Sequence, residues 1–125
     1  MATILIVEDS PDNMVLFRTV LALRGHTIIE RVDGHGLLDA LDDALPDLVL
    51  MDIQLPDKDG YTLLKELRES GRTALRVVAL TAHAMGSDRQ RAREAGFDGY
   101  ITKPIDVRSF PALIERVLAG ETVES

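Results

Sequence analysis

Polar side chains stand directly after four short apolar runs of this 125-residue sequence. In chain order they are Glu8 and Asp9, then Asp52, then Thr81, and finally Lys103. If the apolar runs are neighbouring strands of one parallel sheet, these groups meet at its carboxyl edge, where open α/β sheets bind ligands. Three carboxylates, one hydroxyl and one ammonium gathered there would form a site for a hard divalent cation and a phosphoryl group.

The chemistry of such a site follows from its groups. Magnesium takes oxygen ligands in octahedral geometry and keeps several waters, so a few carboxylates and a phosphate oxygen can hold it, and Mn2+ accepts the same donors. Glu8, Asp9 and Asp52 crowd like charges, which favours a divalent cation. A carboxylate can also attack phosphorus and form an aspartyl phosphate. Phosphoryl transfer needs mainly positioning and charge neutralisation, which a cation, a lysine and a hydroxyl supply.

Apolar runs alternate with segments of helical period, which indicates βαβ units and a parallel sheet. The predicted strands are Thr3–Val7, Thr27–Val32, Leu48–Met51, Val77–Leu80 and Gly99–Thr102. The first, third and fourth are apolar on both faces, so helices must cover both sides of the sheet. Right-handed crossovers then give an α/β fold, a doubly wound (βα)5 sandwich. We expect one domain over residues 1–120 and a loose tail over 121–125.

Capping residues mark where several helices begin. Ser10 and Pro11 predict the start of the first helix, with serine as the cap and proline at the first helical position. Asp33 and Asp106 are the predicted caps of the second and last helices. The predicted sheet-facing stripe of the first helix is Leu16, Phe17, Val20 and Leu21.

Composition narrows the class of protein. The sequence has no cysteine, which excludes disulfides, thiolate metal sites and thiol catalysis. A net charge of −7 argues against nucleic-acid binding, which requires a basic face. No apolar stretch approaches the roughly 20 residues of a membrane-spanning helix, and no signal peptide is evident. A cytoplasmic protein without nucleic-acid or membrane partners is therefore expected.

Four segments together resemble the receiver domain of bacterial two-component response regulators. They are Ile4–Asp9, Pro46–Pro56, Ala79–Ala82 and Ala95–Pro104. The match covers essentially the whole chain and implies a flavodoxin-like fold, whose five-stranded parallel sheet has the strand order 2-1-3-4-5. It also implies that Asp52 is the phosphoacceptor and that Glu8 and Asp9 are the acidic pair for magnesium. The direct metal ligands would include Asp9 and the main-chain carbonyl of Gln54.

The resemblance also assigns the residues of a switch. Lys103 would contact the phosphoryl oxygens, and Thr81 would hydrogen-bond the attached phosphoryl group and move toward it. Tyr100 corresponds to an aromatic residue that swings inward when the threonine moves. The face made by the fourth helix, fifth strand and fifth helix would then change between two arrangements. The peptide bond between Lys103 and Pro104 is expected to be cis.

Other residues are candidates for tuning and docking. In receivers, the positions of Gln54 and His83 tune how fast water attacks the phosphoryl group. Met14 and Val15 fall off the predicted stripe of the first helix and lie beside the site. They are therefore the predicted docking surface for the helical bundle that carries a phosphodonor histidine.

The resemblance implies a single-domain response regulator that catalyses only its own phosphorylation and dephosphorylation. A histidine kinase or histidine phosphotransfer protein would be the donor, and a downstream protein the target of a monomer or a phosphorylation-dependent homodimer. The alternatives are a phosphorelay intermediate or a receiver fragment of a hybrid histidine kinase. The initiating Met1 and the tail favour a complete small protein.

Two alternative functions belong to other classes of protein. A metal-dependent phosphatase with an aspartyl nucleophile typically needs a second aspartate two residues later, where this sequence has Gln54. A flavin-binding protein of similar topology is conceivable because fold does not determine function. However, the first strand–helix loop offers Glu8 and Asp9 instead of a phosphate cradle, and these would repel a flavin phosphate.

Overall fold

A computed structural model describes residues 2–56, 58–82 and 86–124. One parallel sheet of six strands has the order β2-β1-β3-β4-β5-β6. The strands are β1 (Thr3–Val7), β2 (Thr27–Arg31), β3 (Leu48–Asp52), β4 (Arg76–Thr81), β5 (Gly99–Thr102) and β6 (Val123–Glu124). The helices are α1 (Pro11–Ala22), α2 (Leu37–Ala44), α3 (Gly60–Glu69), α4 (Gly86–Ala95) and α5 (Phe110–Leu118). The predicted doubly wound fold and the order of its five strands are confirmed.

Helices cover both faces of the sheet and produce two hydrophobic layers. One layer packs α2, α3 and α4 on one face, and Leu41, Leu64 and Ala92 are among its buried helical residues. The other packs α1 and α5 on the opposite face, where the rings of Phe17 and Phe110 lie 5.6 Å apart between centroids. Because the central strands β1, β3 and β4 are buried on both faces, they read as continuous apolar runs. This rigid centre holds the carboxyl edge of the sheet in place.

The sixth strand corrects the predicted loose tail. Val123 and Glu124 pair in parallel with β5, in register with Gly99 and Tyr100. The Val123 side chain is only 3% exposed and lies in the layer formed with α5. A two-residue strand carries too little periodicity to be recognised in the sequence, which explains the wrong prediction.

Helix α1 buries Phe17 and Leu21 as predicted, with Val20 partly buried beside them, but two other positions differ from the prediction. Met14 is 5% exposed and packs in the core, so the prediction that it faces a partner is wrong. Leu16, predicted to face the sheet, is 37% exposed, whereas Val15 is 49% exposed as expected. The first half of this helix is apolar on several sides, so the sequence alone does not specify which positions face the sheet.

Only the first of the predicted helix caps is correct. The Ser10 side chain accepts a hydrogen bond from the backbone N–H of Asn13 at the start of α1. Asp33 instead accepts from the backbone N–H of His35, and α2 begins later, at Leu37. In the same way, Asp106 accepts from the backbone N–H of Arg108, and α5 begins at Phe110. Both aspartates stabilise a turn ahead of the helix instead of capping it.

No helix in the described part of the chain is long and apolar enough to cross a membrane.

Candidate functional site

Strand register brings the polar residues to one edge of the sheet. Val7 of β1 lies beside Met51 of β3, so the residues that follow them, Glu8 and Asp52, are neighbours. Asp52 lies beside Leu80 of β4, and Thr81 of β4 lies beside Thr102 of β5. Lys103 follows Thr102, and its backbone N–H donates to the Thr81 carbonyl oxygen at 2.6 Å. The site predicted at the carboxyl edge is thus assembled from four strands that are adjacent in the sheet, β1, β3, β4 and β5.

Three carboxylates form an acidic cluster at this edge. One oxygen from each of Glu8, Asp9 and Asp52 lies within 4.8 Å of the other two, which is close enough to share a metal ion. Glu8 and Asp52 are buried, and Asp9 is exposed. A set of oxygen donors with one open side suits a hard divalent cation that keeps part of its water.

Lys103 neutralises the two buried carboxylates. Its Nζ donates to Asp52 Oδ2 at 3.0 Å and to Glu8 Oε1 at 3.1 Å. Burial lowers the pKa of Lys103, but hydrogen bonds and charges from Asp52 and Glu8 together outweigh it and raise the pKa. Lys103 therefore remains an ammonium near neutral pH and carries positive charge into the site.

The environment of Glu8 strongly shifts the pKa of its carboxyl group. Burial raises the pKa of Glu8 to about 7, and the negative charge of Asp52 adds to the effect. The backbone N–H of Ser10, which donates to Glu8 Oε2 at 3.1 Å, and the Lys103 ammonium both oppose the rise. A carboxyl whose pKa is raised by burial, beside a second buried carboxylate, marks a place where additional positive charge is favourable.

The remaining oxygen of Asp52 is also oriented by the backbone. The Gln54 N–H donates to Asp52 Oδ1 at 2.8 Å, while Lys103 holds Oδ2. The Ile53 N–H donates to the Leu80 carbonyl oxygen at 3.0 Å, and this bond joins the segment that follows Asp52 to β4. The carboxylate therefore has a defined orientation at the mouth of the site.

Thr81 lies in β4 and Tyr100 in β5, the two strands that follow β3 in the sheet order. Both side chains are buried, at 1% and 2% exposure. Burial raises the pKa of Tyr100, and a side-chain hydrogen bond with Thr81 opposes this to a smaller extent. The tyrosine ring thus occupies an inward position and is linked directly to the threonine. The peptide bond between Lys103 and Pro104 is cis.

The other predicted residues have separate locations. The Gln54 side chain is exposed at the rim, and Val15 is exposed on α1. His83 lies outside the described residues. Met14 cannot contribute to a docking surface, because its side chain is buried in the core.

Sequence reasoning missed a glycine that supports the site. Gly60 begins α3, and its N–H donates to the Ile53 carbonyl oxygen at 2.7 Å. A Cβ at this position would lie 2.8 Å from Ile53 Cα and 3.0 Å from the Asp52 carbonyl oxygen. The residue is therefore packed against the backbone that carries Asp52. Its only sequence signal is a glycine at the start of a helix, which would ordinarily indicate a turn.

A groove of about 260 Å³ beside Thr81 and Tyr100 was also unexpected. Tyr61 of α3 and Arg91 of α4 are among the residues that line it, and the Arg91 guanidinium lies 4.0 Å from the centroid of the Tyr61 ring. The cation–π contact joins the two helices across the groove. The helical periodicity does not predict it, because Arg91 is exposed on α4 and Tyr61 packs only partly against the core.

A flavodoxin-like α/β fold with an acidic cluster and a lysine at its carboxyl edge defines a class of domains whose ligand site could hold a metal ion. Comparison with known proteins narrows this class. Residues 4–115 match the family described as the response regulator receiver domain, and the chain belongs to that family.

Relatives of this chain include two-component regulators. It is 39% identical over 117 residues to the polar-differentiation response regulator DivK of Brucella anthropi, covering 93% of this chain and 95% of DivK. A LuxR-family two-component response regulator from Aurantimonas sp. SI85-9A1 superposes with a TM-score of 0.89 at 30% identity, covering 98% and 89% of the two chains. The signal receiver domain of a histidine kinase from Syntrophus aciditrophicus gives 0.83 at 32% identity, covering 96% and 92%.

Proposed function

We propose that Asp52 accepts a phosphoryl group from a histidine kinase or a histidine phosphotransfer protein. One observation carries the proposal: the Asp52 carboxylate is buried, held by the Lys103 ammonium, and within 4.8 Å of carboxylate oxygens of Glu8 and Asp9. Membership of the receiver family supports the same conclusion and implies donors of this kind. The protein would act as a single-domain response regulator in two-component signalling, which is consistent with its similarity to DivK, a polar-differentiation response regulator.

The acidic cluster would hold Mg2+, with Mn2+ as a possible substitute. Asp9, Asp52 and the main-chain carbonyl of Gln54 would be ligands, and Glu8 would complete the negative charge of the site. The oxygen donors fit the cation, and the exposed position of Asp9 leaves the open side that a hydrated ion requires. When bound, the cation supplies neutralisation of the charge on the transferred phosphoryl group.

The reaction makes one bond and breaks one. A carboxylate oxygen of Asp52 attacks phosphorus, the P–N bond to the donor histidine breaks, and the imidazole leaves with the electron pair. Lys103 would transfer part of its hydrogen bonding from Asp52 to the phosphoryl oxygens. Thr81 would donate its hydroxyl proton to another of these oxygens. Neither residue forms a covalent bond. The domain would catalyse only its own phosphorylation and dephosphorylation.

The switch would begin at Thr81. A hydroxyl drawn toward the phosphoryl group favours the inward position of Tyr100, with which it already shares a hydrogen bond. Because Tyr100 lies in β5 beneath α4, its position biases the face made by α4, β5 and α5 between two arrangements. That face would bind the downstream protein, either as a monomer or as a phosphorylation-dependent homodimer.

Mass measurement tests the proposal directly. Incubation with Mg2+ and a small acyl-phosphate donor is expected to add one phosphoryl group to the wild type and none to Asp52→Asn. A chelator should prevent the gain in the wild type. An unmodified wild type, or an equally modified Asp52→Asn variant, would contradict the proposal.

The alternative role is that of a phosphorelay intermediate or a hybrid-kinase receiver. It is favoured by the 32% identity to the receiver of the Syntrophus aciditrophicus kinase. The two roles share the same chemistry at Asp52. They differ in whether the phosphoryl group moves on to a second histidine, which incubation of the phosphorylated chain with candidate phosphotransfer proteins would show.

Val15 is the remaining candidate for donor docking, since Met14 is buried. Val15→Lys is expected to slow transfer from a histidine-phosphorylated kinase by about tenfold, because a charge would replace an apolar contact. Uptake from a small acyl phosphate should be unchanged. Leu23→Lys is the matched control, since Leu23 is 82% exposed and follows the far end of α1. Wild-type transfer rates for Val15→Lys would exclude this docking surface.

Gln54 is proposed to tune dephosphorylation, as is His83. The Gln54 side chain is exposed at the rim while its backbone N–H holds Asp52. Gln54→Ala is expected to slow hydrolysis of the phosphoaspartate by up to about tenfold, because an amide there can orient the attacking water. Gln90→Ala, an exposed position in α4, is the control. Equal phosphoryl lifetimes in wild type and Gln54→Ala would remove the assignment.

A further inference from the structure

The edge of β5 is covered by the chain's own C-terminal segment. We infer that this segment, residues 122–124 (hereafter the strap), is a regulatory element that docks on β5 and holds Tyr100 buried, so that strap docking and phosphorylation of Asp52 reinforce each other. The coupling between strap docking and phosphorylation rests on the proposed function. The docking of the strap on β5 rests on contacts that do not involve Asp52.

Packing fixes the strap on the sheet. Val123 is 3% exposed and joins the layer that contains Ile114 and Val117 of α5. Its partner in the register is Gly99, where a Cβ would lie 3.0 Å from Val123 Cγ2 and 3.3 Å from the Val123 carbonyl oxygen. The absence of a side chain at Gly99 is therefore what allows the two strands to approach so closely.

A charged contact connects the strap to α4. Glu124 Oε2 accepts from Arg93 Nη2 at 2.7 Å and from Arg93 Nε at 3.1 Å. The pair is partly exposed, with 58% of the Arg93 side chain and 34% of the Glu124 side chain accessible, so it contributes more to orientation than to stability. Apolar packing on the α5 side and the ion pair on the α4 side thus bridge the two helices across β5.

The strap also closes the space beside Tyr100. Glu124 is the register partner of Tyr100. The crevice that borders Tyr100 there is lined by Arg89 and Arg93 of α4 and by all three strap residues, and its volume is about 10 Å³. Such a space holds at most one water, so a tyrosine ring cannot enter it while the strap is docked. The docked strap therefore favours the inward ring.

These contacts form a continuous physical connection from the strap to the site. The strap borders Tyr100, and Tyr100 lines the same groove as Thr81 and shares a side-chain hydrogen bond with it. Thr81 is the last residue of β4, and β4 pairs with β3, which ends at Asp52. Coupling between two sites is reciprocal at equilibrium. A phosphoryl group that draws in Thr81 should tighten the strap, and removal of the strap should weaken phosphoryl binding.

Val123→Asp is the variant that tests the inference. A buried carboxylate in place of an isopropyl group should release the strap, while Thr19→Asp adds the same charge at an exposed position of α1, outside the strap. Amide hydrogen exchange of Val123 and Glu124 first reports whether the strap is docked. Titration with beryllium fluoride and Mg2+, a mimic of the phosphoryl group, then gives an apparent affinity for each protein. Val123→Ala provides a milder second variant if Val123→Asp folds poorly.

The expected result has two parts. Beryllium fluoride should increase amide protection in the strap of the wild type. Val123→Asp should weaken the apparent affinity by about fivefold or more, and Thr19→Asp should leave it unchanged. If exchange shows a released strap while beryllium fluoride affinity equals that of the wild type, the inference is overturned. If the wild type itself fails to bind beryllium fluoride, the proposed function fails instead, and the protection data alone still decide whether the strap is docked.

Discussion

Replacing Lys103 by methionine is expected to slow phosphoryl uptake from a small acyl phosphate by about a hundredfold, since one preorganised donor to a developing charge contributes on that order. The change removes an ammonium that lies 3.0 Å from Asp52 and 3.1 Å from Glu8. Methionine preserves much of the side-chain volume, so packing is little altered. The effect should appear in the rate of mass gain at saturating Mg2+.

The same substitution should also destabilise the domain when no divalent cation is present. It leaves two buried carboxylates beside each other without their shared cation, and we expect a loss of about 2 kcal/mol or more in the free energy of unfolding. Added Mg2+ should restore part of that loss by mass action. Urea unfolding in chelator and in Mg2+ measures both quantities.

Lys58→Met is the matched control. Lys58 forms an ion pair with Glu66 at 2.8 Å, but 49% of its side chain is exposed, so its loss should have little effect on stability or uptake. If Lys103→Met took up phosphoryl groups as fast as Lys58→Met, Lys103 would have no role in the chemistry.

Gly60→Ala is expected to have the second-largest effect. A methyl group 2.8 Å from Ile53 Cα has no flexible neighbour to displace, so the turn after Asp52 must shift. Overpacking of this kind typically costs about 1–3 kcal/mol, and contact with backbone favours the upper end. Displacement of Asp52 from Lys103 should slow phosphoryl uptake by roughly tenfold. Thermal unfolding and mass gain are the two measurements.

Gly86→Ala separates this clash from the general effect of adding a methyl group to a helix. Gly86 begins α4, and no described atom lies within 4 Å of a Cβ built there. Alanine should therefore be neutral or stabilise slightly through helix propensity. Similar losses in both variants would show that close approach to the Asp52 backbone is not the cause.

The fold and the position of the site could be predicted because they depend on strong, local patterns. Buried parallel strands such as Leu48–Asp52 read as short apolar runs, and the end of each run locates the carboxyl edge. Once β3, β4 and β5 are neighbours in one parallel sheet, Asp52, Thr81 and Lys103 must converge at its carboxyl edge. Their contacts required no information beyond the register.

Other features depend on tertiary packing, which the hydrophobic periodicity of the sequence does not specify. Met14 and Leu16 exchange roles because α1 is apolar on several sides, and only its fit against the sheet selects the buried stripe. Val123 is buried because Gly99 leaves room for it, a relation between residues far apart in the chain. The constraint at Gly60 likewise appears only when α3 is placed against the turn that follows Asp52.

Chemical trapping of the acceptor tests the central claim most directly. The protein is phosphorylated with a small acyl phosphate and Mg2+, reduced with borohydride, digested, and mapped by mass spectrometry. An aspartyl phosphate is reduced to homoserine, and the account predicts homoserine at position 52 and at no other aspartate. Reduction at a different carboxylate, or phosphate found on a hydroxyl or imidazole with residue 52 unchanged, would contradict it.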